Sequence, residues 1–313
     1  MSLFVSAATA SSLPTLRLLV EPNAGIGPID ALLAGAKHSV DLVVYELADP
    51  SVEKILANDV ERGVVVRVLL ERIDEQSHNA AAITYLRAHH VTVRWAADPG
   101  IELTHEKAAV IDDRTALIMT LNLVAEDYAT TRDFAVIDTD PRDVAAIERV
   151  FTADWQGDTV VPQTGTDLVW SPGAEAPLVS LIDGARHTLL VENEEMDDPY
   201  ITAPLEHAAR RGVKVEIVMT AASSWDAAFA VLTAAGANVR TYASSAHLYI
   251  HAKAVVADVG YADARAFVGS QNFSIASLVH NRELGIVTRT AAIVNDLSSV
   301  IAGDFANAHP WVP

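Results

Sequence analysis

The chain is written twice. AGAKHSVDLVVYELADPSVEKIL in its first half runs without a gap onto DGARHTLLVENEEMDDPYITAPL in its second. Ala36 matches Ala185, Pro50 matches Pro199, and Arg62-Gly63-Val64 matches Arg211-Gly212-Val213, all 149 residues apart. Further on the separation becomes 150: Asn122 matches Asn272, Asp133 matches Glu283, and VFTADW at 150–155 matches VIAGDF at 300–305. A duplication of this extent restricts the fold to two copies of one plan, stacked about a pseudo-twofold axis. The turn-rich QGDTVVPQTGT at 156–166 separates them, giving an expected first half of 1–158 and a second of 159–313.

Each half has the same grammar. A β-rich run (LVVYE; TLLVE) leads to Asp-Pro, an N-cap acid with Pro at the first helical position. An amphipathic helix follows, closed by Arg-Gly, and then a strongly β run (VVVRVLLE; VKVEIVMT). A second helix (HNAAAITYLRAHH; SWDAAFAVLTAAGA) and a short strand (VTVRWA; NVRTYA) complete the pattern. Strands alternating with helices, in continuous apolar runs, predict an α/β fold. The expected form is two pseudo-twofold-related α/β/α sandwich lobes, each with a largely parallel or mixed sheet.

The repeat carries chemistry. Residues 105–112 read HEKAAVID and residues 251–258 read HAKAVVAD, each a His, a Lys two places on and an Asp five after that. On a strand, residues two apart share a face, so His105 projects with Lys107 and His251 with Lys253. A neighbouring strand carries TLN at 120–122 and GSQN at 269–272, which brings Asn122 and Asn272 alongside. The His-to-Asn spacing is 17 in the first half and 21 in the second, the difference lying in the longer turn DVGYADAR. An acid, Asp133 or Glu283, follows each Asn by eleven residues.

In these residues the chain resembles the phospholipase D superfamily over nearly its whole length. The motif HxKxxxxD is intact twice, with GSxNF at 269–273 and NRE at 281–283. The resemblance implies phosphodiester cleavage through a phosphohistidine, with one neutral His attacking and one protonated His serving the leaving oxygen. By the same analogy His105 attacks and His251 is the acid, while both Lys and both Asn cradle the non-bridging oxygens. It further implies that each His is oriented by the acid of the opposite half, pairing His105 with Glu283 and His251 with Asp133. Asp112 and Asp258 read as structural anchors of the hairpin, and Gly269 and Ser270 as its tight turn and hydroxyl contact. The first half lacks the Gly-Ser pair, which puts both features in question there.

Charge narrows the substrate. The chain holds 41 acids against 22 bases, a formal charge of −19, and no basic run beyond Arg210-Arg211, which reads as a helix end. Nucleic-acid affinity depends on Lys and Arg neutralising phosphates, so no stable nucleic-acid partner is expected. No stretch reaches the roughly 18 apolar residues of a membrane span. The absence of cysteine excludes disulfides and thiolate metal sites. The opening MSLFVSAATASSL has no Lys or Arg before Arg17 and makes a poor signal peptide, leaving the compartment of a soluble protein open between export and cytoplasm.

The expected activity is a monomeric, metal- and cofactor-independent phospholipase D acting on phosphatidylcholine or phosphatidylethanolamine at a membrane or micelle surface, with transfer to added alcohols. The alternative is a nuclease of the same superfamily. The acidic run ENEEMDD at 192–198 reads as a solvated loop or as a ligand-facing strand end, where Glu194 and Glu195 attract a cationic head group or a divalent ion. Trp225, four residues before Phe229, reads as core packing or as part of a membrane-docking rim. HEKAA is no zinc motif, because Ala109 stands where a second His is required. His89-His90 and the matched His38 and His187 read as helix ends, NAGIG at 23–27 as a turn, and Trp170 and Trp311 as packing.

Overall fold

A computed structural model describes residues 15–97 and 99–313. The opening stretch read above as a poor signal peptide lies outside the described residues. In the first half three parallel strands, Ser39–Val44, Val65–Leu70 and Thr92–Trp95, lie side by side. They continue through an antiparallel series, Ala108–Ile111, Thr115–Met119, Thr131–Asp138 and Leu16–Glu21. The second half repeats this with Thr188–Glu192, Lys214–Thr220 and Asn238–Tyr242 parallel. Ala254–Ala257, Arg265–Gly269, Glu283–Thr288 and Leu168–Ser171 then run antiparallel. The sheets are therefore mixed, with the parallel strands on one side and the hairpins bearing the motifs on the other.

Local chemistry sets the helix ends. Asp49 and Asp198 cap their helices through Oδ1, each accepting from the second residue on at 2.7 Å, with Pro in the first helical position. Arg62 and Arg211 close the same helices, and Gly63 and Gly212 follow at φ +87° and +88°, a region that favours glycine. Helices Pro50–Glu61 and Ala80–Ala88 cover the outer face of the first sheet, burying Leu56, Ile83 and Leu86 against Val66 and Val68. Pro199–Arg210 and Asp226–Ala234 do the same in the second half.

The inner faces form one shared core. Helices Pro141–Gln156 and Ala291–Asn307 bury Ile147, Val150, Phe151, Leu297 and Ile301 in a cluster that contains Phe134 and Val136 of one sheet and Val268 and Ile286 of the other. Two buried ion pairs clamp it. Arg132 of the first half makes two bonds to Asp304 of the second, at 2.5 and 3.1 Å. Arg282 of the second makes two to Asp154 of the first, at 2.8 and 3.0 Å. The planar guanidinium matches the carboxylate in both cases. Among the described residues, no helix is long and apolar enough to cross a membrane.

Candidate active site

The two halves exchange backbone hydrogen bonds where the motifs begin. His105 N–H donates to the Arg282 carbonyl at 3.0 Å, and Thr104 bridges Arg282. His251 N–H donates to the Arg132 carbonyl at 3.2 Å, behind the short strand Tyr249–Ile250 that pairs with Thr131 and Arg132. Each arginine immediately precedes the acid of its half, so each imidazole arrives beside the other half's carboxylate. His105 Nδ1 lies 2.9 and 3.0 Å from the two oxygens of Glu283, and His251 Nδ1 lies 2.8 Å from Asp133 Oδ1. These bonds place the proton on Nδ1 of each imidazole and leave Nε2 outside the contact with the carboxylate.

Burial and charge tune these groups. Burial lowers the His105 pKa, with Lys107 and Lys253 adding to the effect and Glu283 opposing it. Burial works against the charge of Glu283, yet His105, Lys107 and a hydrogen bond from Ser270 hold its carboxyl below the usual range. Asp133 is also depressed despite burial, through His251, Lys253 and Thr120. Lys107 and Lys253 are almost wholly enclosed, 1% and 0% exposed. Burial brings Lys107 down to about 7, with Lys253 pushing the same way and Glu283 resisting. Its Nζ donates to the His105 carbonyl at 2.8 Å and lies 5.0 Å from the Tyr45 ring. Lys253 Nζ donates to the His251 carbonyl at 2.5 Å and to Glu194 at 2.9 Å.

Asn122 and Asn272 stand at the cluster, each with a buried side-chain oxygen that has no partner among the described residues. Asn272 is set by a 2.8 Å bond from its backbone N–H to Ser277, whose own hydroxyl donates to Glu283 at 2.5 Å. Asp112 and Asp258 are anchors, but not of their own hairpins. Each sits at φ +55° and accepts backbone N–H bonds from the loop entering the first parallel strand: Lys37, His38 and Ser39 in one half, Arg186, His187 and Thr188 in the other.

Gly269 is required by close approach, because a Cβ there would lie 2.4 Å from the Gly285 Cα on the paired strand. The first half needs no such pair, since Met119 faces Ala135. The doubt over the first-half hydroxyl is corrected by Thr120. Its Oγ1 accepts from Phe134 N–H at 2.8 Å, as Ser270 does from Leu284 N–H at 3.1 Å, and donates to Asp133 at 2.5 Å.

The acidic run is not a solvated loop. Glu192, Asn193 and Asp198 are fully buried, and Glu194 and Glu195 are half-buried at the strand end. Burial and the nearby Asp304 push the Glu192 carboxyl well above its usual range. A cavity of about 240 Å³ beside His251 is lined by Glu194, Asp127, Tyr128, Tyr249 and Asn122. Trp225 is absent from that lining and packs against the second-half core with Phe229. Away from these groups, Glu46, Glu75 and the exposed His78 bring ligand atoms within 4.8 Å of one another, but Glu75 and His78 already satisfy each other at 2.5 Å.

Sequence reasoning missed the arginines. The signal was present in the matched dipeptides Arg132-Asp133 and Arg282-Glu283 and in the Asp shared by VFTADW and VIAGDF. Two cation–acid matches at a separation of 150 mark the clamps beside which Asp133 and Glu283 are brought across.

The profile of a family described as cardiolipin synthase, phospholipase D-like domain, matches residues 29–155 and again residues 178–305. The chain belongs to the phospholipase D superfamily. Members of that superfamily are phosphodiesterases and phosphotransferases. The human mitochondrial cardiolipin hydrolase is 30% identical over 154 residues, 49% of this chain and 60% of that protein. The same-named protein of Xenopus tropicalis is 31% identical over 125 residues, 40% of this chain and 58% of its own. The chain thus spans about 60% of the length of these curated relatives. Among solved structures, the phosphatidylserine synthase of Haemophilus influenzae superposes with a TM-score of 0.70 at 13% identity, covering 96% of this chain and 87% of that one. The polyphosphate kinase of Porphyromonas gingivalis gives 0.69 at 16%, covering 92% and 50%. At these identities the likeness is one of fold.

Proposed function

We propose that the protein is a phospholipase D that hydrolyses glycerophospholipids through a phosphohistidine on His105. The observation that carries this reading is the crossed pair of imidazoles, each held through Nδ1 by the other half's carboxylate. Burial favours the neutral, nucleophilic form of His105. Its Nε2 attacks phosphorus, the bond to the alcohol oxygen breaks, and His251 Nε2 donates the proton that oxygen needs. Water then attacks from the vacated side and gives its proton to His251, the phosphorus–nitrogen bond breaks, and phosphatidic acid leaves. An added alcohol in place of that water gives transphosphatidylation. Lys107, Lys253, Asn122 and Asn272 stabilise the charge gathering on the non-bridging oxygens.

The names of the family and of the mitochondrial relatives support a lipid diester. The acidic cavity supports a cationic head group, as in phosphatidylcholine or phosphatidylethanolamine. Both motifs lie on one chain, which supports a site complete in the monomer. The test is choline release from phosphatidylcholine vesicles with EDTA present, beside equal vesicles of cardiolipin and single-stranded DNA. Release that vanishes in His105→Ala and His251→Ala is expected. Faster turnover of DNA overturns the lipid reading, and faster turnover of cardiolipin overturns the head-group reading.

A further inference from the structure

Glu194 breaks the twofold pattern at the centre of the site. At the repeat separation of 149 its first-half counterpart is Tyr45, an uncharged ring lying edge-on to His105 at 4.7 Å between centroids. Glu194 instead turns a carboxylate into the equivalent space. Its Oε2 lies 2.9 Å from Lys253 Nζ, 3.5 Å from Asn272 Nδ2 and 3.6 Å from His251 Nε2. An ammonium, a primary amide and an imidazole converging on one oxygen form the donor set that a non-bridging phosphoryl oxygen would take from this half. In the first half, the Lys107 ammonium meets a ring face rather than an anion.

We propose that Glu194 is a built-in stand-in for phosphate: it fills the second-half oxyanion seat at rest, and a phosphodiester enters only by displacing it. The seat is strongly engaged. Although burial opposes its charge, Lys253, His251 and Tyr249 hold the Glu194 carboxyl far below the usual range. Displacement therefore forfeits a charge-assisted bond unless the carboxylate finds another cation. Its other oxygen already accepts from the Tyr249 hydroxyl at 2.8 Å, which points the side chain toward the cavity shared with Asp127 and Tyr128. A cation on the departing alcohol, held in that cavity, re-pairs the displaced Glu194, and the Tyr128 and Tyr249 rings offer it further contact. The residue thereby selects phosphodiesters whose alcohol is cationic over those whose alcohol is neutral or anionic. This selection rests on the phospholipase D reading above; the occupied seat does not.

Two measurements on the full chain separate these parts. The first titrates inorganic phosphate into wild type, Glu194→Gln and Glu195→Gln by calorimetry. Removing the competing charge should tighten phosphate binding about tenfold or more in Glu194→Gln, with much less change in Glu195→Gln. Equal gains in both variants, or none in Glu194→Gln, would overturn the occupied seat. Tyr45→Glu checks it from the other side, since a carboxylate placed in the first seat should weaken phosphate binding by a similar factor. The second measurement compares kcat/KM on phosphatidylcholine and phosphatidylglycerol. The preference for the choline lipid should fall about tenfold in Glu194→Gln, chiefly through faster turnover of phosphatidylglycerol, which no longer has to displace an unpaired carboxylate. An unchanged preference beside tighter phosphate binding overturns the selection and keeps the seat. A wild type inactive on both lipids overturns the functional reading while the phosphate titration still decides the seat.

Discussion

The two oxyanion seats have the same backbone and different contents. In the first half Lys107 stands against the Tyr45 ring, and in the second Lys253 stands against the Glu194 carboxylate. His105 is met by one carboxylate, whereas His251 lies between Asp133 at Nδ1 and Glu194 at Nε2. His251 thus has a carboxylate on each side, while burial pushes His105 toward its neutral form. Duplication supplies two equal imidazoles, but a nucleophile and an acid must differ. One Tyr/Glu exchange at matched positions is enough to give them different surroundings.

The largest expected effects test that division directly. His105→Ala and His251→Ala should each lower lipid turnover at least about 10⁴-fold. On a 4-nitrophenyl phosphodiester, whose leaving group needs no proton, they should part company. His251→Ala should still release a burst of nitrophenolate near one per protein molecule, and His105→Ala none. A burst from His105→Ala instead would exchange the roles.

The orienting acids come next. Glu283→Gln should cost about 10²- to 10⁴-fold in kcat/KM. Glu283 raises the His105 pKa against the lowering effect of burial, so its loss lets that pKa fall further. The acid limb of the pH–rate profile, which marks the loss of neutral His105, should move to lower pH. A limb that moves to higher pH, or stays in place, would assign it to another group.

The clamps should not distinguish the halves. Arg132→Ala and Arg282→Ala each strand a buried carboxylate, and each should destabilise the fold by about 3–5 kcal/mol in urea denaturation. The double replacement Arg132→Met with Asp304→Leu should recover much of that loss. Smallest of all, Asp112→Ala and Asp258→Ala remove acceptors for matched sets of backbone N–H groups and should each cost about 1–3 kcal/mol. A large gap between these two would mean that the loops they hold are not equivalent.

Most of the fold was legible because the repeat doubled every weak signal. Asp49-Pro50 and Asp198-Pro199 cap helices as read, and the runs around Val65 and Val215 are the middle strands of the two parallel trios. His105 meets Glu283 and His251 meets Asp133, the crossed contacts that the resemblance implies. What stayed hidden depends on contacts far apart in sequence. Nothing local marks Tyr249–Ile250 as a strand on the other half, since its partners lie near residue 131. The solvated one of the two readings of 192–198 came from the density of its acids, yet Asp198 caps a helix and Asn193 holds the Phe273 and Glu195 backbone. Thr120 escaped notice as the equal of Ser270 because a Thr and a Ser in different motifs share only a hydroxyl.

The crossed backbone bonds have a consequence for binding. His105 and His251 are each seated on the opposite half, so an anion that needs both lysines can be held only while the halves are joined. Mass action then makes any tight occupant of the site a glue for the whole molecule. At a hundredfold excess over its Kd it adds about 2.7 kcal/mol to the stability of the joined form. Cutting the chain within 157–167 would turn that linkage into a measurement: two fragments whose affinity for each other rises with the concentration of phosphate.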